Sequence, residues 1–358
     1  MAQGTFDLWQ QTFTLSYMVN ADYGVLGITT EGLVNDLTSS IQSRLANPGL
    51  QNLIGSSWEL AWGPCVFQRP LSLYADNAMY VAHDQANDIY VVAIAATNID
   101  SLYDIQVEDL DVTPISWPYG GSAPNGTQIA TGTSDGVKVL LAMQSQGQTL
   151  LSYLQTVADA SSSTLIFAGH SLGGALSPTL ALALTNQGLN LGDWKAVHVY
   201  PTAGPTAGNA TFAAYFSQTF PQSATGSQPW QVWNADLANG LDIVPRAWNA
   251  QTLATIPDLY APNVTTSTEF ANTVAAKVKQ VQPYGYTRIG TANDLTGSSV
   301  QGSGPVFAEE AHYQHVYAYF QLLGVQALLA LTDTEGNPLF PVVNPFAPAT
   351  TPPVTASA

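Results

Sequence analysis

Apolar positions recur at helical spacing from Thr30 to Ala46, behind a capping-type start, and the run stops at Asn47-Pro48-Gly49. This predicts a helix and, with it, an N-terminal helical layer. AMYVAHDQANDIYVVAIAAT, residues 78–97, alternates and then runs apolar, with Asp84 to Asp88 as the polar interruption. Such a pattern predicts a β-hairpin feeding a central sheet. From about Ser134 the pattern changes to alternating helix and buried strand: a helix near 136–158, strand 164–169, helix 172–187, strand 196–201 and helix 210–219. Repeated βαβ units imply an α/β fold with a mostly parallel sheet and helices on both faces. A strand near 230–234, a helix near 268–280 and a long helix near 309–330 follow. After Asp333 come Pro338, Pro341, Pro345, Pro348, Pro352 and Pro353, so residues 1–332 read as one domain and 333–358 as an extended or disordered tail.

Composition narrows the partners. Hydrophobic residues make up 46% and charged residues 9%, enough apolar material to fill one large domain. The formal net charge of −17 repels phosphate backbones, so nucleic acid is not an expected partner. Cys65 is the single cysteine, which excludes an internal disulfide and a thiolate metal cluster. The N-terminal residues show no basic start, apolar run and small-residue cleavage site, so no secretory signal is visible. The most apolar helical stretch, Val316 to Leu331, is broken by Gln321 and Gln326 and falls short of the roughly 20 residues a membrane span needs. The chain reads as soluble, with its compartment open. Asn125, Asn209 and Asn263 begin glycosylation acceptor strings, which matter only on a secretory route.

A G-x-S-x-G string occurs twice, as GTSDG around Ser134 and GHSLG around Ser171, so structural context must choose between them. Ser171 ends the apolar run TLIFAG and precedes the small-residue helix GGALSPTLALAL, the strand–turn–helix order of a nucleophile elbow. At that turn Gly169 and Gly173 leave out Cβ atoms that would collide, and Gly174 lets the helix pack close. Ser134 reads instead as a loop ending in a helix N-cap. Pro178, inside the elbow helix, predicts a kink or a wider turn.

A serine hydroxyl becomes a nucleophile when a neutral imidazole takes its proton and a carboxylate orients that ring. Of five histidines, His83, His170 and His198 read as structural or exposed, which leaves His312 and His315 near the start of the last helix. The Ser, acid, His chain order of this elbow architecture is met by either. With Glu309 the pair is too sparse for a metal site, and neither metal nor cofactor is expected. The segment NADLANGLDIVPRAW offers Asp236 and Asp242 as the acid; Asp242 is favoured, at a strand exit stiffened by Pro245.

These residues resemble the class 3 lipase family, the fungal-lipase-like branch of the α/β-hydrolases. Five patches carry the resemblance in family order: AMYVAHDQANDIYVVAIAAT, LIFAGHSLGGAL, VYPTAGPTAGNATFAAYF, LDIVPR and QHVYAYF. The resemblance implies Ser171 as nucleophile, Asp242 as acid and His315 as base, with His312 the alternative base. His315 is preferred because Tyr319 and Phe320 follow it at about the family spacing. It further implies an oxyanion hole from Thr97 and the amide of Leu172. The family's Arg-Gly before that threonine is Ala95-Ala96 here, so the loop packs differently.

The implied activity is hydrolysis of acylglycerols or other lipid esters through an acyl-enzyme, with short-chain or aryl esterase and phospholipase acyl hydrolase as alternatives. A non-catalytic lipid- or partner-binding protein of the same fold is the alternative from another class. Residues 98–133, with Leu102 to Tyr119 at their centre, read either as a lid over an acyl pocket, touching a lipid–water interface transiently, or as a loop capping the sheet edge.

Overall fold

Residues 4–20, 25–70, 72–97, 111–290, 294–299, 306–342 and 344–346 are described by the computed structural model. Three helices, α1 (Leu8–Met18), α2 (Thr30–Leu45) and α3 (Pro48–Ile54), precede the sheet. The Thr29 hydroxyl accepts the Gly32 amide to cap α2, and Asn47 caps α3 with Pro48 at its first position. The sequence pattern does not pick out α1 because Thr12, Thr14 and Ser16 are buried in it. Thr14 and Ser16 turn their hydroxyls back onto the carbonyls of Gln10 and Phe13, which lets polar residues face the core.

Five strands form the main sheet in the order β1 (Trp58–Phe67), β2 (Asn77–Asp84), β3 (Ile89–Ile94), β4 (Thr164–His170) and β5 (Ala196–Thr202). β1, β2 and β3 pair antiparallel, while β4 pairs parallel with both β3 and β5, so the sheet is mixed rather than mostly parallel. The cause lies in the connection from β2 to β3, too short for a crossover. Asp84 closes it as a tight turn, accepting the Ala86 amide at 3.0 Å and the Asn87 side-chain amide at 2.7 Å.

Side-chain alternation along the central strands fills two cores. Tyr80, Ala82, Val91, Ala93, Ile166 and Ala168 face the layer of α1, α2 and α3. Met79, Val81, Val92, Ile94, Leu165 and Phe167 face α4 (Thr131–Ala142), α5 (Leu150–Leu154), α6 (Leu172–Asn186) and α7 (Ala210–Thr219). Burial on both faces is why these strands read as nearly continuous apolar runs. The α/β-hydrolase fold expected from the chain is the one observed.

Several boundaries differ from expectation. The helix expected near 136–158 is two helices, α4 and α5, split by a tight hairpin at Gln144–Thr149 in which Gln146 and Gly147 take positive φ. Ser134 is therefore no loop or cap residue: Ala130 is the N-cap, and Ser134 lies buried inside α4 with its carbonyl accepting the Tyr119 hydroxyl at 2.8 Å. The strand near 230–234 shrinks to Val232–Trp233, paired with Ser223–Ala224 apart from the main sheet. α8 (Ala250–Leu253) and α9 (Thr268–Val281) follow. The last helix is α-helical over Phe307–His312 (α10), widens to a π-turn over Tyr313–Tyr317 and returns as α11 (Ala318–Leu322). The helix α6, by contrast, stays α-helical on both sides of Pro178, so the expected wider turn does not occur there.

The described start of the tail is neither extended nor free. Leu339 donates its amide to Leu331 and accepts Arg44 Nε at 3.0 Å, and Phe340 is buried beside Phe320 in the helical-layer core. Residues 347–358 lie outside the described residues, as do 98–110 of the expected lid. The rest of that segment is docked: Pro114–Ser116 pairs with Gln128–Ala130, and Trp117 packs on Tyr119 and Phe212. No helix among the described residues is long and apolar enough to cross a membrane.

Candidate active site

The elbow forms where β4 runs into α6. Ser171 takes φ 58° and ψ −124°, a conformation costly for any side chain and held here by the packing around it. A Cβ at Gly169 would lie 2.3 Å from the Gly173 carbonyl oxygen, and one at Gly173 would lie 2.5 Å from the Ile94 oxygen. Both glycines are therefore obligatory at this turn. Gly174 packs on the exit of β5, where its Cβ would meet Gly204 Cα at 2.8 Å. The hydroxyl of Ser171 sits at the N-terminal end of α6, where unpaired backbone N–H groups favour negative charge.

His315 Nε2 lies 2.8 Å from Ser171 Oγ, and His315 Nδ1 lies 2.8 Å from Asp242 Oδ2. A carboxylate only accepts, so Nδ1 carries the ring hydrogen and Nε2 presents its lone pair to the serine hydroxyl. Both ring nitrogens are thereby used. His312, three residues earlier, is exposed, and among the described residues no contact joins it to Ser171 or Asp242.

Asp242 is fully buried and receives three donors: His315 Nδ1, the Val244 amide at 2.9 Å and the Tyr319 hydroxyl at 3.0 Å. Val244 opens a 3-10 turn, Val244–Arg246, that contains Pro245. The Tyr319 oxygen accepts the Asn239 amide at 2.8 Å, and Asn239 Nδ2 donates to the Gln314 carbonyl. The Asp242 loop and the His315 helix are thus tied together on both sides of the Asp242–His315 contact. Asp236, the other acid considered, is turned away: it accepts the Gly204 amide at 3.0 Å and pairs with Arg288 at 3.0 Å. Burial raises its carboxyl to about 6 against the opposing pull of Arg288.

His170 is buried beside Ser171, with its Nε2 at 2.9 Å from the His315 carbonyl oxygen. Burial holds its ring neutral, at about 3. His83 and His198 lie elsewhere, stacked on Tyr90 and Trp233 respectively. Thr97 and Leu172 arrive from neighbouring segments, since the first turn of α6 rests on the Ile94 and Ala95 carbonyls at the end of β3. Asn239 carries no sequence signal of its own, while Tyr319 is marked by its family-like spacing four residues after His315.

Comparison with known proteins agrees with this architecture. The family model for lipase (class 3) matches residues 92–252. The crystal structure of M37 lipase is similar at 28% identity and a TM-score of 0.75, covering 93% of this chain and 95% of that one. The structure of MDLA from Penicillium cyclopium is similar at 17% identity and a TM-score of 0.45, over 83% of this chain and 80% of that one. A Rhizomucor miehei lipase propeptide complex gives 17% identity and a TM-score of 0.46, over 70% and 65%. No curated protein matches.

Proposed function

We propose that this chain, a class 3 lipase by its match over residues 92–252 and its likeness to M37 lipase, hydrolyses lipid esters through Ser171, His315 and Asp242. Lipase-type cleavage of a carboxylic ester is what the family match and that likeness support; the residues and the acylglycerol-like substrate are the finer part of the proposal. The observation that carries it is the unbroken chain of contacts at 2.8 Å from Asp242 Oδ2 through the His315 ring to Ser171 Oγ.

In this reading His315 Nε2 takes the hydroxyl proton as Ser171 Oγ attacks the ester carbonyl carbon. Asp242 stabilises the imidazolium that results. The carbonyl oxygen, now negative, is held at the N-terminus of α6 by the Leu172 amide and by Thr97. The imidazolium returns its proton to the departing alcohol, leaving an acyl group on Ser171. Water, deprotonated by the same ring, then releases the acid.

A fluorophosphonate probe tests the nucleophile: wild type is labelled and Ser171→Ala is not. Absence of wild-type labelling would point to a non-catalytic binder. A series of p-nitrophenyl esters from short to long acyl chains, with and without emulsion, tests the substrate class, and exclusive turnover of acetate in free solution would replace lipase by esterase.

A further inference from the structure

The end of β3 carries the candidate oxyanion loop, and its amides lose their sheet partners there. Ala95 still donates to the Ala78 carbonyl of β2 at 3.0 Å. The next amide, Ala96, faces the opposite edge, where β4 turns away into the elbow. Its acceptor is a side chain 76 residues earlier in the sequence: Asn20 Oδ1, at 2.9 Å.

We propose that Asn20 is a positioning residue for the oxyanion hole, holding the Ala96–Thr97 backbone against the elbow; this rests on the reading of Thr97 and Leu172 given above. Asn20 is itself well held. Its own amide donates to the Tyr17 carbonyl at the end of α1, and six of the eleven residues of α1 are buried. The Tyr17 ring packs on His170 and Phe320, so the same helix end touches the elbow, the histidine helix and the oxyanion loop. The loop is also held by backbone contacts, from β2 and from the glycine face of α6. Asn20 adds a side-chain support, and its acceptor stands beside Ala95-Ala96, where the resembled family has Arg-Gly. Loss of the Asn20 acceptor would loosen the Ala96–Thr97 backbone, and displacements of about 1 Å at a reacting centre cost up to roughly a hundredfold in rate.

The test compares Asn20→Ala, Asn20→Asp and Thr97→Ala with wild type by kcat and KM on a p-nitrophenyl ester and by affinity for a trifluoromethyl ketone, whose adduct places an oxyanion in the hole. Asn20→Ala is expected to lower kcat about 10- to 100-fold, with KM within about twofold and ketone affinity falling in parallel. Asn20→Asp keeps an acceptor for the Ala96 amide and is expected to recover most of that loss. Equal damage in Asn20→Ala and Asn20→Asp overturns the proposal, since packing rather than the acceptor would then matter. So does an undamaged Asn20→Ala beside a damaged Thr97→Ala. A Thr97→Ala enzyme with wild-type kcat and ketone affinity overturns instead the oxyanion reading itself. Should Asn20→Ala not fold, the Asn20→Asp comparison alone decides, through its kcat and ketone affinity.

Discussion

The ring of His170 donates from Nε2 to the backbone carbonyl of His315 across 2.9 Å, joining the residue before the proposed nucleophile to the proposed base. A carbonyl cannot donate, so Nε2 keeps its hydrogen, and Nδ1 accepts from the Thr202 hydroxyl at 3.0 Å. The accepting carbonyl lies within the π-turn at Tyr313–Tyr317. His170 therefore holds the position of His315 from the Ser171 side, as Asp242 holds its ring from the other.

Burial of neutral His170 makes acid destabilising. Its folded-state value of about 3 lies below the ordinary 6.5, so its contribution is fully present above pH 6.5 and is lost as pH falls toward 3. By pH 4 the loss from this ring is roughly 3 kcal/mol. In His170→Gln that component is absent, so urea midpoints of the two proteins should converge between pH 7 and 4. A constant gap across that range would refute it.

Asp242→Asn is expected to cut kcat by about 10³- to 10⁴-fold, because the amide favours the wrong ring tautomer of His315. Asp236→Asn should stay within about threefold of wild type, since the Asp236 side chain is paired with Arg288 and the Gly204 amide. Steady-state kinetics on one ester separates the two acids, and the reverse ranking would reassign the role.

Tyr319→Phe removes a donor from the Asp242 carboxylate and the acceptor of the buried Asn239 amide. Stability should fall by about 2–3 kcal/mol in urea unfolding, and kcat by about tenfold. A fall in stability with kcat unchanged would leave Tyr319 a structural role only.

Gly174→Ala would put a Cβ 2.6 Å from the Thr202 oxygen and 2.8 Å from Gly204 Cα, both backbone atoms that cannot rotate away. A loss of about 1–3 kcal/mol is expected, with lower kcat as the elbow shifts. Thermal unfolding together with kcat checks both, and an unchanged melting temperature would show that the contact yields freely.

Much of this protein was legible along the chain. Strands buried on both faces and a helix of small residues have patterns set by local period, so β2, β3, β4, β5, α2, α6 and α7 could be placed within a residue or two. The elbow was legible for a similar reason: steric crowding at a single turn demands glycine at positions set by that turn. Features that depend on distant partners were not. The helix α1 hides behind hydroxyls satisfied by its own backbone, and the split between α4 and α5 turns on a hairpin too short to interrupt a helical pattern. Leu339 and Phe340 read as part of a proline-rich tail, yet they find cover on the helical layer.

By itself the sequence determined the α/β class, the strained serine turn and a short list of bases and acids, since each follows from neighbours within one or two turns of chain. Only the tertiary structure put the His315 ring on Ser171 and Asp242 on that ring, and it brought His170 against His315, Tyr319 against Asp242 and Asn20 onto the Ala96 amide. Such contacts join residues far apart in sequence, through packing of whole elements, and no local spacing encodes them.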